Sequence, residues 1–138
     1  MSVLKSYRQW AAMKRSAHLL LCLALGLQVA AHAQPKDVPQ PSPNLMPNVA
    51  LGKKLYEKNC ASCHGQDLKG SDKGPAFLHP VYVPSHHGDA AFQMAAKYGV
   101  TAHHWRLGNM PPITSVTPDD VKHITAYIRQ TQRQFGIE

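Results

Sequence analysis

Cys60-Ala61-Ser62-Cys63-His64 constrains this chain more than any other stretch. Two cysteines three positions apart, with a histidine directly after them, form the C-x-x-C-H haem-attachment pattern. On one helical turn, both thiols reach the two vinyl groups along one edge of a porphyrin. The adjacent imidazole then projects under the ring and binds iron as the proximal ligand. A bare C-x-x-C leaves a redox pair or half a zinc site open. The histidine that follows at once, with the export signal described next, favours covalent haem. No second C-x-x-C-H occurs, so one haem per chain is expected.

Residues 1–33 do not read as part of a fold. Lys5, Arg8, Lys14 and Arg15 form a positive segment with no acidic residue, and Leu19 to Leu27 is a short apolar core. Ala31-His32-Ala33 then places small residues where a signal peptidase reads. This is the pattern of a Sec-type signal cut before Gln34, and it predicts a periplasmic product. The rival, an uncleaved anchor, is disfavoured because the apolar run is shorter than the roughly 20 residues that span a bilayer. Cys22 lies inside that run after three leucines, which is not where a lipidation cysteine sits. With the signal removed, only Cys60 and Cys63 remain. A disulfide between them would close too small a loop to stabilise much, so thioether attachment is the better use of both.

Charge follows the same division. The chain carries 15 Lys and Arg against 8 Asp and Glu, a formal net charge of +7. Four of the basic residues and none of the acidic ones lie in residues 1–33, leaving 11 against 8, or +3. Two haem propionates bring this close to neutral. The basic balance is therefore partly a targeting feature and gives no argument for nucleic-acid binding. Lys53, Lys54, Lys58, Lys69 and Lys73 flank the haem motif. They read either as a positive field that steers an acidic redox partner or as ordinary solvated surface.

Residues 34–47 contain Pro35, Pro39, Pro41, Pro43 and Pro47, which favours extended backbone and predicts a tether or disordered arm. Residues 48–138 form the expected domain. A domain this small is marginal on its own apolar burial, so the chain without porphyrin is expected to fold poorly. Three helices are predicted. The first starts after the N-cap Asn48, with Leu51 and Leu55 on one face. The second has Asp89 as N-cap and stops at Gly99, with Phe92, Ala95 and Ala96 as its apolar face. The third has Thr117 as N-cap and Pro118 at its first position. Asp119 and Asp120 lie at the positive end of its dipole, Val121, Ile124 and Ile128 recur at helical spacing, and Gly136 marks the end. Val81-Tyr82-Val83 is extended at most briefly before Pro84. The fold class is all-α, with three main helices around one covalent haem.

The sixth iron ligand is sought among downstream methionines and histidines. Met110 is the choice, in Gly108-Asn109-Met110-Pro111-Pro112. A thioether is a weak ligand and must be held in place, which two consecutive prolines assist. Gly108 is expected to let the backbone pass close to the porphyrin. Met94 is the rival thioether, although a methionine at helical spacing is more often packing. A distal histidine is the remaining alternative.

Leu55-Tyr56, Cys60 to Gly65, Gly74-Pro75 and Asn109-Met110-Pro111, in this order, resemble a class I bacterial monohaem cytochrome c. The resemblance covers about 90 residues, essentially the whole domain. It implies that Gly52 allows close packing against the last helix near Tyr127. It also implies that the Pro75 carbonyl accepts a hydrogen bond from the ring nitrogen of His64 that faces away from iron, which fixes the tautomer. The sequence departs from the common pattern in its histidines: His79, His86, His87, His103, His104 and His123. Adjacent residues point apart on a helix or strand, so neither His-His pair alone is expected to chelate well. One member of each pair could converge on a second metal; the alternative is surface or haem-pocket histidines. Trp105 reads as pocket wall, and Arg106 as propionate partner or plain surface.

With His64 and Met110 as axial ligands, these readings predict a periplasmic one-electron carrier. It is expected to be a monomer that meets a donor and an acceptor redox protein through small, transient interfaces, including a possible membrane-bound redox complex. It is expected to have no turnover of its own. The alternatives are an electron-transfer subunit of a dehydrogenase or oxidase, a gas-binding or peroxidatic haem protein, and a haem protein with an added metal-handling role.

Overall fold

A computed structural model of the chain describes residues 37–138. The expected export signal, Cys22 and residues 34–36 lie outside the described residues. The described elements are α1 (Val49–Asn59), α2 (Ala61–His64), α3 (Asp89–Tyr98) and α4 (Pro118–Gln134), with a 3-10 turn at Pro80–Tyr82 between α2 and α3. Extended pairing among the described residues is limited to one isolated bridge, Val100 to Met110. The described residues are all-helical, with three main helices, as expected. No helix among the described residues is long and apolar enough to cross a membrane.

The helix ends follow local chemistry. The Asn48 side chain accepts the backbone N–H of Leu51 and caps α1. Thr117 and Asp120 form a reciprocal capping box at the start of α4, with Pro118 beside it. At α3 the cap is Gly88, and Asp89 is the first helical residue, one position from the expected arrangement. Gly99 ends α3 with φ 72°. Val81 and Tyr82 belong to the 3-10 turn rather than to extended chain.

The framework is α1 crossed on α4. A Cβ on Gly52 would run into the backbone carbonyl of His123, so only glycine permits this approach. The contact lies at the His123 carbonyl of the last helix, one turn before Tyr127, where the family resemblance implied close packing. His123 is buried and its Nδ1 accepts the backbone N–H of Asn48 at 2.9 Å, which fastens the start of α1 to α4. That removes it from the candidate metal ligands. The buried face of α1 is Gly52 and Tyr56; Leu51, expected on the apolar face, is 41% exposed, and Leu55 is half-buried. Tyr56 is fully enclosed with Leu68, Phe77, Ile124 and Ile128 in the core. Its hydroxyl donates to Gly65 O at 2.6 Å, tying α1 to the turn after α2.

The proline-rich stretch is docked where the structure describes it. Ser42 donates both its N–H and its hydroxyl to the Asp119 carboxylate, at 2.6 and 2.7 Å, and the Tyr98 hydroxyl donates to Asp37 O at 3.0 Å. Extended proline-rich backbone has unpaired polar groups, and here the first turn of α4 supplies partners for them.

Candidate functional site

The C-x-x-C-H segment forms the single turn α2 directly after α1. Cys60 and Cys63 are free, half-buried thiols, and His64 is buried. All three line a mainly apolar cavity of about 460 Å³. Burial, then the neighbouring Cys63, pushes the Cys60 thiol up to about 11, so it stays protonated in the folded chain. His64 Nδ1 lies 2.9 Å from Pro75 O. A carbonyl only accepts, so Nδ1 carries the proton and Nε2 keeps its lone pair. Burial holds the imidazole below its ordinary pKa, against the opposing bond to Pro75. The ring is therefore neutral and ready to ligate.

Other walls come from distant parts of the chain. Phe92, Met94, Ala95 and Ala96 of α3 face the cavity, as do Val121, Ile124 and Ile128 of α4. These are the apolar faces expected of both helices. Met110 also lines the cavity, on a backbone anchored by two hydrogen bonds with Val100, each 2.9 Å. Gly99 makes that anchor possible, since a Cβ there would meet Met110 O and φ is positive. Gly108 has φ 85° with no protein atom within 4 Å of a Cβ position, so on the protein side its glycine is required by backbone conformation. Met94 and Met110 both border the cavity, and lining alone does not separate them. Trp105 is pocket wall, stacked on Tyr82 at 5.7 Å and 8°. Arg106 is exposed and is not among the lining residues, so the structure does not bring it to the others.

Three residues that the sequence did not single out organise the segment between α2 and α3. Arg129 is buried on α4; it donates to Asp89 at 2.9 Å, to Tyr82 O at 2.7 Å and to His87 O. It also donates to the Gln132 side chain at 2.7 Å, and fully buried Gln132 in turn donates to Phe77 O at 2.8 Å. Phe77 lies against the His64 ring, centroids 4.3 Å apart. The available signal was polar residues at i, i+3 on the apolar side of a strong helix. Apart from Asp89, their distant partners are backbone carbonyls, which leave no trace in sequence.

The histidines gather at one rim. His86, His87 and His104 bring ring nitrogens within 4.8 Å of one another. His87 and His104 also line the cavity, with His103 beside them. Both members of the first pair take part, contrary to the expectation that adjacent histidines diverge. They occupy a turn in which the N–H groups of His86 and His87 both donate to Val83 O, at 3.0 and 2.9 Å, so helix and strand geometry do not apply. Partial desolvation, then the charges of His103, His87, His86 and His79, holds His104 below its ordinary pKa. His79 accepts the Val81 N–H at 3.2 Å and stays outside this group.

These residues fit a covalently held porphyrin. Two free thiols and a neutral, oriented imidazole stand on one turn at the edge of an apolar cavity that also presents a thioether. The cavity is of a size that encloses a cofactor.

Comparison with known proteins agrees. A cbb3-type cytochrome c oxidase subunit CcoP of Rubrivivax gelatinosus is 34% identical over 98 residues, covering 70% of this chain and 29% of that protein. A thiosulfate dehydrogenase of Stutzerimonas stutzeri (strain A1501) is 36% identical over 55 residues, covering 40% of this chain and 17% of that protein. The chain thus spans less than a third of either relative. The crystal structure of cytochrome cL from Methylophaga aminisulfidivorans matches 59% of this chain and 51% of that one, at 26% identity and a TM-score of 0.44. The sequence pattern of the family described as Cytochrome c matches residues 49–132, from the first residue of α1 nearly to the end of α4. This chain belongs to the cytochrome c family.

Proposed function

We propose that the chain is a periplasmic one-electron carrier with one haem c, bound by thioethers from Cys60 and Cys63 and ligated by His64 and Met110. The observation that carries this reading is the arrangement at α2. Cys60, Cys63 and His64 border the same apolar cavity, and the Pro75 carbonyl fixes the imidazole tautomer. When bound, the haem supplies a reversible one-electron couple. The chain supplies attachment, orientation and exclusion of water. Pro75 raises the basicity of His64 through its hydrogen bond. Met110 is favoured over Met94 because two backbone hydrogen bonds and the following Pro111-Pro112 hold it without help from a ligand. The apolar faces of α3 and α4 keep the local dielectric low. The expected partners are a donor and an acceptor redox protein that dock transiently, with the chain as a monomer. Periplasmic residence rests on the export signal in residues 1–33.

A second reading has support of its own. Both curated relatives are named as an oxidase subunit or a dehydrogenase. We extend this to the chain as an electron-transfer module within a larger oxidoreductase. Co-purification of a catalytic subunit separates the two readings.

The deciding experiment is absorption spectroscopy of protein expressed with periplasmic export, combined with mass measurement after acid–acetone extraction. Retained haem mass and a weak far-red sulfur-to-iron band in the ferric state are expected. Met110→Ala is expected to abolish that band and to admit carbon monoxide to the ferrous protein. An unchanged spectrum and potential in Met110→Ala would remove Met110 as ligand. Haem lost on extraction would remove the whole reading.

A further inference from the structure

We infer that His86, His87 and His104 form a surface site for one divalent ion of the zinc–copper class, beside the haem cavity and separate from the haem ligands. The three ring nitrogens lie within 4.8 Å of one another, and His86 Nε2 and His104 Nε2 are 3.3 Å apart. Two metal–nitrogen bonds of about 2.0–2.1 Å at the tetrahedral angle set their nitrogens about 3.4 Å apart. The observed gap therefore needs almost no adjustment. One ring donates to the other across it, and an ion placed there replaces the shared proton.

The third donor is oriented in advance. His87 Nδ1 lies 2.7 Å from Val81 O, so Nδ1 donates and Nε2 keeps its lone pair. Metal-binding histidines characteristically give their other ring N–H to a carbonyl or carboxylate in this way. The backbone under the site is also fixed. Buried Arg129 holds the carbonyls of Tyr82 and His87, and Val83 O receives the N–H groups of both His86 and His87. The segment that carries two donors is thus clamped to α4, while His104 arrives on the loop after α3. Trp105 packs edge-on against His104 at 5.6 Å and stacks on Tyr82.

The donor set selects the ion. Three imidazoles without a carboxylate suit borderline ions such as zinc and copper, whereas magnesium and calcium require oxygen ligands. His86 and His104 are exposed, so the ion can reach the site. Three protein donors leave at least one position open to solvent or to a partner's group. Because His87 and His104 also line the haem cavity, such an ion would sit close to the haem rim.

The test is calorimetric titration of the haem-loaded protein with Zn²⁺, with Cu²⁺ and, as control, with Mg²⁺. One saturable ion per chain is expected for Zn²⁺ and Cu²⁺, tighter for Cu²⁺, with no heat from Mg²⁺. His86→Ala and His104→Ala should each weaken binding at least as much as loss of an outer-shell partner, roughly tenfold. His86 is exposed and does not line the cavity, so the haem spectrum of His86→Ala should match that of the parent. Electron paramagnetic resonance of the Cu²⁺ form should show coupling to nitrogen. Absence of saturable binding overturns the proposal, and so does binding of unchanged strength in the His86→Ala/His104→Ala double variant.

Discussion

Residues 49–75 and residues 76–116 border the same cavity but are held by different means. The first region is a continuous helix, a one-turn helix and a tight loop. It packs on α4 through Gly52, but its own hydrogen bonds join near neighbours: Tyr56 reaches Gly65 nine residues away, and His64 reaches Pro75 eleven residues away. The second region carries one short 3-10 turn, helix α3 and long connecting loops. It is held from outside by Arg129 and Gln132 of α4, and internally only by the Val100–Met110 bridge and turns. The contrast suits the chemistry proposed for them. Covalent attachment needs two thiols and an imidazole at fixed spacing, which one turn of helix provides. A weak thioether ligand and a cluster of histidines need loops that return to the cavity, and loops keep their shape only when something else ties them down.

The largest effect is expected from breaking the first region at its chemistry. Cys60→Ala/Cys63→Ala should lose all haem retained after acid–acetone extraction, and thermal unfolding of the product should lose its cooperativity. Retained cooperative unfolding would show that the apolar faces of α3 and α4 pack without a porphyrin between them. Next is Gly52→Ala, which drives a methyl into the His123 carbonyl where α1 and α4 touch. A loss of about 3 kcal/mol in urea unfolding is expected, because backbone on both sides has to move. Arg129→Met tests the second region. It strips the His87 carbonyl of its donor and leaves Tyr82 O only the long bond from Gln132, 3.5 Å, at a cost of about 2 kcal/mol. Amide exchange in residues 82–88 should rise while exchange in α1 does not; equal rises in both would mean that the two regions are one cooperative unit.

The smallest expected effect concerns the docked arm. The N–H and hydroxyl of Ser42 hold the Asp119 carboxyl below its ordinary value of 3.8. A depressed folded-state value stabilises above 3.8, and that contribution fades as pH falls through the lower folded value. Asp119→Asn should therefore reduce stability slightly at neutral pH and converge with the parent in strong acid, as read by thermal midpoints across the pH series. A difference that persists at the acid end would show that the arm is held by something other than this carboxylate.

What could be read from sequence was what depends on near neighbours. The C-x-x-C-H turn, the caps Asn48 and Thr117, the stop at Gly99 and the apolar faces of α3 and α4 all rest on residues a few positions apart. Helical periodicity and capping act over that range. Even the Pro75–His64 bond came through a family resemblance whose motif is short. Leu51 misled because helical spacing marks an apolar face without showing which face meets a partner. Asn48 and Thr117 were legible as caps, but the roles of Arg129, Gln132 and His123 were not, since each bonds backbone groups 42 to 75 residues away.

The sequence by itself therefore determined the placing of two thiols and an imidazole on one turn, the helices of the described residues and the family, since each is encoded in short-range pattern. Only the tertiary structure decided that the proline-rich arm docks on α4, that His123 serves packing, and that three histidines share one rim while Arg106 stays outside. Those outcomes depend on which distant backbone groups meet, and meeting is set by the crossing of α1 on α4 and by the clamp of Arg129, not by any local run of residues.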